Sequence, residues 1–125
     1  MKQQIYGLLY RRLISATRYS WLGLSACFRH EEAFRVELFI GVLTFPFAFV
    51  LAESVSQLCL LLGSSLIVLI TELLNSAIED TVDMFGSEHN ELGGRAKDQG
   101  SAAVLLSMIL FLLVWGTLGW QRLVA

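Results

Sequence analysis

The chain has 125 residues, of which 55% are hydrophobic and only 16% are charged, and its formal net charge is −2. Soluble domains contain about 45–50% apolar and about 25% charged residues, so the composition predicts an integral membrane protein rather than a soluble one. The length fits a single domain spanning residues 1–125. Because the chain has no excess of positive charge, we expect no nucleic-acid partner.

The N-terminal segment, residues 5–28, combines apolar residues at helical spacing with Arg11, Arg12 and Arg18, which lie mainly on the other side. Aromatic residues such as Trp21 suit the headgroup layer of a membrane. The pattern predicts an amphipathic helix lying in the membrane surface. An ordinary solvent-facing helix is the alternative that the sequence leaves open.

Three later segments, residues 36–52, 58–83 and 102–123, are long and apolar enough to cross a bilayer. Residues 85–101 contain four glycines and no apolar periodicity, which predicts a loop. Eight of the nine Lys and Arg residues precede the first span or fall in this loop. The positive-inside rule therefore predicts that the N-terminus and the loop are cytoplasmic.

The central span carries a polar stripe made of Glu72, Asn75, Glu79 and Asp83. On a helix these four residues fall within an arc of roughly 80°. A carboxylate in a membrane helix costs about 2.5–3.5 kcal/mol on insertion scales, so the stripe indicates a functional site. The alternatives are polar contacts between membrane helices, or a soluble amphipathic helix.

The predicted topology brings this stripe to the cytoplasmic interface, together with Glu31 and Glu37 from upstream and Arg95 and Lys97 from the loop. Interfacial carboxylates suit Mg²⁺, which prefers one or two carboxylates plus phosphate oxygens, and the basic residues suit phosphates. This combination suits phosphoryl transfer from a water-soluble donor to a membrane-dissolved acceptor. The residues by themselves indicate a small membrane protein with an interfacial acidic site, for which a kinase is one option. The P-loop signature is absent, because Asp98 follows Lys97 where that motif needs Ser or Thr.

The stretch ELLNSAIEDTVD, followed by GSEHNELGGRAKDQGSAAV, resembles the small prokaryotic diacylglycerol kinase family, and the upstream EEAFRVE also fits. The resemblance implies an all-α integral membrane protein with a surface helix and three transmembrane helices, assembled as a homotrimer in the bacterial inner membrane. It also implies ATP-dependent phosphorylation of diacylglycerol to phosphatidic acid, with Mg²⁺ as the cofactor.

The resemblance assigns roles position by position. Glu72 matches the general base, and Glu31 and Glu79 match the metal ligands. Residues expected to support the site are Glu37, Asn75 and Arg95. The nucleotide-contacting positions of the family are matched by Arg12, Tyr19, Glu31, Glu79, Glu88, His89, Asn90, Lys97 and Asp98.

Some alternatives stay open. Glu32 stands beside Glu31 and is the alternative metal ligand. A second possible function is that of an undecaprenol kinase, from the Gram-positive branch of the same family. The pattern GSE-x-x-EL-x-GRAKD favours diacylglycerol as the acceptor instead. A membrane subunit that is not an enzyme would use the carboxylates as a proton or ion relay, but such a relay needs no basic, glycine-rich loop.

Overall fold

The computed structural model describes residues 2–86 and 90–124, with side chains from Tyr6 onward except those of residues 8 and 9. Regular structure in the described residues consists of four helices, which are α1 (Lys2–His30), α2 (Glu32–Leu51), α3 (Val55–Met84) and α4 (Glu91–Val124). By length and composition, α2, α3 and α4 can each cross a membrane. The prediction of an all-α fold with three membrane-capable helices is therefore confirmed.

The first compact unit of the chain extends to Glu32 and contains α1. All side chains from Tyr10 to Leu24 are exposed, the basic and the apolar ones alike. Arg29 lies in the last turn, where a cation interacts favourably with the negative end of the helix dipole. The structure thus contains the N-terminal helix, whereas its position in a membrane surface stays a prediction.

The second unit begins at Ala33 and holds the three membrane-capable helices. Of these, α2 continues through Pro46, a residue that membrane helices tolerate. Large apolar side chains cover its outside, and Phe39 and Phe47 are 62% and 60% exposed. An apolar surface of this kind suits lipid or a neighbouring helix rather than water.

The third helix has clear signals at both ends. Ser54 caps its start, because its Oγ accepts a hydrogen bond from the Gln57 backbone N–H at 3.2 Å. After Met84 the chain leaves the helix at Phe85, and Gly86 adopts a φ of 71°. Glycine reaches this left-handed conformation without steric cost, so the helix stops here.

The stretch predicted as a loop is helical from Glu91 onward, and the prediction is wrong there. Asn90 caps the new helix, since its Oδ1 accepts from the backbone N–H groups of Leu92 at 3.0 Å and Gly93 at 3.4 Å. The Glu91 carboxylate also lies in the first turn, near the positive end of the helix dipole. Each glycine costs a helix interior about 1 kcal/mol, and here the cap and the packing described below outweigh that cost.

The close helix packing among the described residues is that of α3 against α4, an antiparallel hairpin. The Thr71 hydroxyl donates to Ser107 Oγ at 2.8 Å, and the indole N–H of Trp115 donates to Ser65 Oγ at 3.3 Å. Side-chain hydrogen bonds between membrane helices contribute about 0.6–2 kcal/mol each. They fix one register, in which the contacting pairs along the hairpin are Asp83–Lys97, Asn75–Gly100, Thr71–Ser107 and Ser65–Trp115.

An ion pair lies at the opposite end of the hairpin from Asp83. Arg122 Nη1 contacts Glu53 Oε1 at 2.9 Å, and both side chains are about half exposed. An exposed pair contributes only about 0–1 kcal/mol. It joins the short α2–α3 link to the last turns of α4, so polar contacts mark both ends of the hairpin.

Candidate active site

A row of polar side chains on α3 lies against α4, and we call it the acidic stripe (Glu72, Asn75, Glu79 and Asp83). Glu72 is only 5% exposed and Asn75 only 9%. Glu79 is half-buried, and Asp83 is exposed near the end of the helix. Spacings of three and four residues place all of them on one face, so the stripe runs from the buried middle of α3 to its polar end.

Asn75 joins this stripe to α4. Its Nδ2 donates to Glu79 Oε1 at 3.1 Å. Its Oδ1 is buried without a hydrogen-bond partner among the described residues, and it lies so close to Gly100 that a Cβ added there would clash with it. Gly100 is therefore the small residue that lets the two helices approach at the stripe.

The variant Gly100→Ala is expected to destabilise the protein by about 1–3 kcal/mol, the usual cost of overpacking, because Asn75 must turn away and lose its hydrogen bond to Glu79. Thermal unfolding in detergent measures this loss. Gly94→Ala is the matched control, since Gly94 is helical and exposed and has nothing within 4 Å of an added Cβ. We expect the control to be neutral or stabilising, and equal thermal midpoints for the two variants would contradict the packing role of Gly100.

The basic residue Lys97 on α4 faces the stripe across the hairpin. Lys97 Nζ lies 2.5 Å from Asp83 Oδ1, and Glu79 is close enough to attract the same ammonium group. Its neighbours Arg95 and Asp98 are exposed on α4. The structure thus brings Lys97 to the polar end of the stripe, where a charged ligand arriving from water meets both signs of charge.

Glu37 on α2 is the second deeply buried carboxyl group, with 9% exposure. Both of its carboxyl oxygens lack a hydrogen-bond partner among the described residues, and it is close enough to Glu72 to interact electrostatically. Together with Ser65 and Met108 it lines a largely apolar cavity of about 220 Å³ between α2, α3 and α4. A carboxyl group at the edge of an apolar cavity offers a hydrogen-bond partner to the polar end of a lipid.

Several other predicted residues lie elsewhere in the described chain. Arg12 and Tyr19 are exposed on α1, and Glu31, which follows α1 in the chain, is half-buried. The side-chain oxygen of Asn90 caps α4. Two further predicted residues, Glu88 and His89, lie outside the described residues.

No group of three or more His, Cys, Asp or Glu side chains that could hold a metal ion occurs in the described part of the chain. Mg²⁺ does not need such a cage, because it is usually bound by one or two carboxylates together with substrate phosphates. The Glu79 carboxylate at the polar end of the hairpin provides a ligand of this type. The residues present therefore fit Mg²⁺ that is shared between protein and nucleotide.

The sequence prediction missed the contribution of α4. Gly100 and Ser107 were assigned no role, and Asp83 was not recognised as the partner of Lys97. Lys97, Gly100, Val104 and Ser107 recur at spacings of three and four residues, which is the signal of one helix face. The signal was hidden because the predicted loop ended at residue 101.

The sequence also matches known proteins. The model of a family described as prokaryotic diacylglycerol kinase matches residues 18–118. A diacylglycerol kinase of Haemophilus influenzae is 46% identical over 104 residues, which are 83% of this chain and 88% of the relative. One from Escherichia coli (strain K12) is 46% identical over 113 residues (90% and 93%), and one from Pseudomonas aeruginosa is 42% identical over 108 residues (86% and 88%). The resemblance seen in the sequence is confirmed, and the chain belongs to the prokaryotic diacylglycerol kinase family.

Proposed function

We propose that this protein transfers the γ-phosphoryl group of ATP to diacylglycerol, giving phosphatidic acid and ADP. The proposal rests on Glu72, a carboxyl group buried in an apolar helix pair whose polar end holds Glu79 and Lys97. A water-soluble donor reaches that polar end, and a lipid acceptor reaches the hairpin from its apolar sides. The relatives named diacylglycerol kinase supply the identity of the acceptor.

Glu72 acts as the general base. As the hydroxyl oxygen of diacylglycerol forms a bond to the γ-phosphorus, the bond from that phosphorus to the β-phosphate oxygen breaks. The hydroxyl proton passes to the Glu72 carboxylate, and ADP leaves. Burial of Glu72 keeps water away from the reacting oxygen, and Glu37 supports the site from α2.

The polar end of the hairpin binds the donor. The Lys97 ammonium attracts the nucleotide phosphates, and Glu79 together with Glu31 would hold Mg²⁺. When bound, Mg²⁺ would neutralise negative charge on the phosphates. The positive charge of Arg95 supports this neutralisation. Further nucleotide contacts are assigned to Arg12, Tyr19, Glu88, His89, Asn90 and Asp98.

The acceptor approaches from the membrane. The cavity beside Glu37 is lined mostly by apolar side chains, including Val68 and Leu112, and is open to the glycerol end of a lipid. A hydroxyl placed there meets the carboxyl group of Glu37, which in turn interacts electrostatically with Glu72. The cavity therefore suits an uncharged lipid alcohol.

We further propose a multi-pass protein of the bacterial inner membrane, with a cytoplasmic N-terminus and three protomers per assembly. The distribution of basic residues supports this orientation, because Arg122 is at the opposite end of the hairpin from Lys97. The apolar side chains on the outside of α2 support contact with lipid or a neighbouring protomer. In this arrangement α1 lies in the cytoplasmic membrane surface.

A comparison of lipid alcohols tests the assigned acceptor. Purified protein in vesicles with ATP and Mg²⁺ is given dioleoylglycerol, undecaprenol or no added acceptor, and the phosphorylated lipid is measured. We expect phosphatidic acid as the main product and little undecaprenyl phosphate. A preference for undecaprenol would move the protein to the other branch of the family.

A further inference from the structure

Asp83 has no part in the proposed reaction, although it directly contacts a residue that does. Its Oδ1 accepts a hydrogen bond from Lys97 Nζ at 2.5 Å. On α3, Asp83 follows Glu79 by four residues, which is about one helical turn. Successive turns of α3 therefore present two carboxylates to the same ammonium group.

The two carboxylates compete for one flexible cation. A lysine ammonium is a point charge on a four-carbon stem that rotates freely, and Glu79 is close enough to attract it. In the structure the ammonium donates to Asp83, whereas Glu79 Oε1 accepts from the neutral Asn75 amide at 3.1 Å. A hydrogen bond from the neutral amide leaves the negative charge of Glu79 in place, whereas an ion pair with Lys97 would neutralise that charge.

We propose that Asp83 is a positioning residue that holds the Lys97 ammonium away from Glu79. The carboxylate of Glu79 then keeps its charge for a divalent cation, and the ammonium stays where it meets nucleotide phosphate. This rests on the proposed function, which gives Glu79 and Lys97 those ligands. Asp83 touches neither ligand and acts through Lys97. Without Asp83, the Lys97 ammonium turns to Glu79. The divalent cation then loses the free Glu79 carboxylate, and the nucleotide phosphate loses Lys97.

Metal binding tests this without turnover. Purified protein in vesicles is mixed with a non-hydrolysable ATP analogue, and Mn²⁺ binding is followed by electron paramagnetic resonance. Asp83→Asn is expected to weaken Mn²⁺ binding roughly threefold to fivefold, the factor expected from losing an exposed ion pair. Asp83→Glu keeps the charge and is expected to bind nearly as well as the wild type. Should Asp83→Asn fail to fold, Asp83→Ser, also uncharged, takes its place.

Steady-state kinetics give a second readout. Asp83→Asn is expected to raise the Mg²⁺ and ATP concentrations needed for half-maximal activity, with kcat little changed, because saturating ligands displace Lys97 from Glu79. A purely structural role for Asp83 would instead lower the amount of active enzyme and leave these concentrations unchanged. That result would overturn the proposal.

A Lys97→Met background separates the possible causes. If Asp83 acts through Lys97, adding Asp83→Asn to Lys97→Met weakens Mn²⁺ binding no further. An equal loss in both backgrounds would overturn the proposal, as would unchanged Mn²⁺ binding in the Asp83→Asn single variant. A wild-type protein that binds Mn²⁺ with the analogue but makes no phosphatidic acid would contradict the proposed function alone. A wild-type protein that binds neither Mn²⁺ nor the ATP analogue would overturn both the positioning role of Asp83 and the proposed function.

Discussion

Replacing Glu72 by glutamine is expected to lower kcat for phosphatidic acid formation at least about 100-fold, the scale of losing a general base. Glutamine keeps the size and polarity of the side chain but cannot accept the hydroxyl proton. Since Glu72 lies deep in the hairpin, while Lys97 and Asp83 mark its polar end, the KM for ATP should change little. Initial rates at varied ATP, with dioleoylglycerol in excess, measure both constants.

Glu53→Gln is the matched control for this experiment. It makes the same chemical change at the opposite end of the hairpin, where the carboxylate pairs with exposed Arg122. We expect its kcat to stay close to that of the wild type. Near-normal turnover in folded Glu72→Gln would show that Glu72 is not the base. If Glu72 only packs the helices, the variant should lose stability rather than kcat.

Removing the charge of Glu79 is expected to raise the Mg²⁺ concentration for half-maximal activity at least about tenfold, a typical effect of disturbing a metal site. Glu79→Gln is the sharper variant, because its side-chain oxygen still accepts the hydrogen bond that Asn75 donates at 3.1 Å. Glu79→Ala removes both the charge and this hydrogen bond, so it should also lower the thermal midpoint. Titration of Mg²⁺ at fixed ATP measures the shift.

Asp80→Asn provides the control for Glu79. Asp80 is the adjacent carboxylate on α3, it is exposed, and it lies off the acidic stripe. Its substitution is expected to leave the Mg²⁺ dependence unchanged. An unshifted Mg²⁺ dependence in active Glu79→Gln would place the metal ligand elsewhere, with Glu32 as the next candidate.

The helices and the acidic stripe were predictable because they depend on local patterns. Long apolar runs define membrane-capable helices whatever their neighbours are, and the spacing of Glu72, Asn75 and Glu79 fixes their common face. The cost of a carboxylate in such a helix also marked the stripe as a candidate site. These features needed no knowledge of the partner helix.

The start of α4 was not predictable from composition. Gly93, Gly94 and Gly100 are typical of a loop when read as a sequence, but Gly100 is there because Asn75 occupies the space of a side chain. A contact between residues 25 positions apart leaves no local signal. The pairing of Lys97 with Asp83 was missed for the same reason, since it appears only once the antiparallel register is known.

The central claim is that phosphate passes directly from ATP to a lipid at the acidic stripe of this hairpin. Purified protein in dioleoylglycerol vesicles is given ATP labelled in the γ-phosphate, and the label is measured in the lipid extract and as free phosphate, alongside the ADP formed. We predict that one labelled phosphatidic acid forms for each ADP and that almost no free phosphate appears. In Glu72→Gln, the formation of both phosphatidic acid and ADP should be lost. Label that appears only as free phosphate, or folded protein that leaves the lipid unlabelled, would contradict the claim.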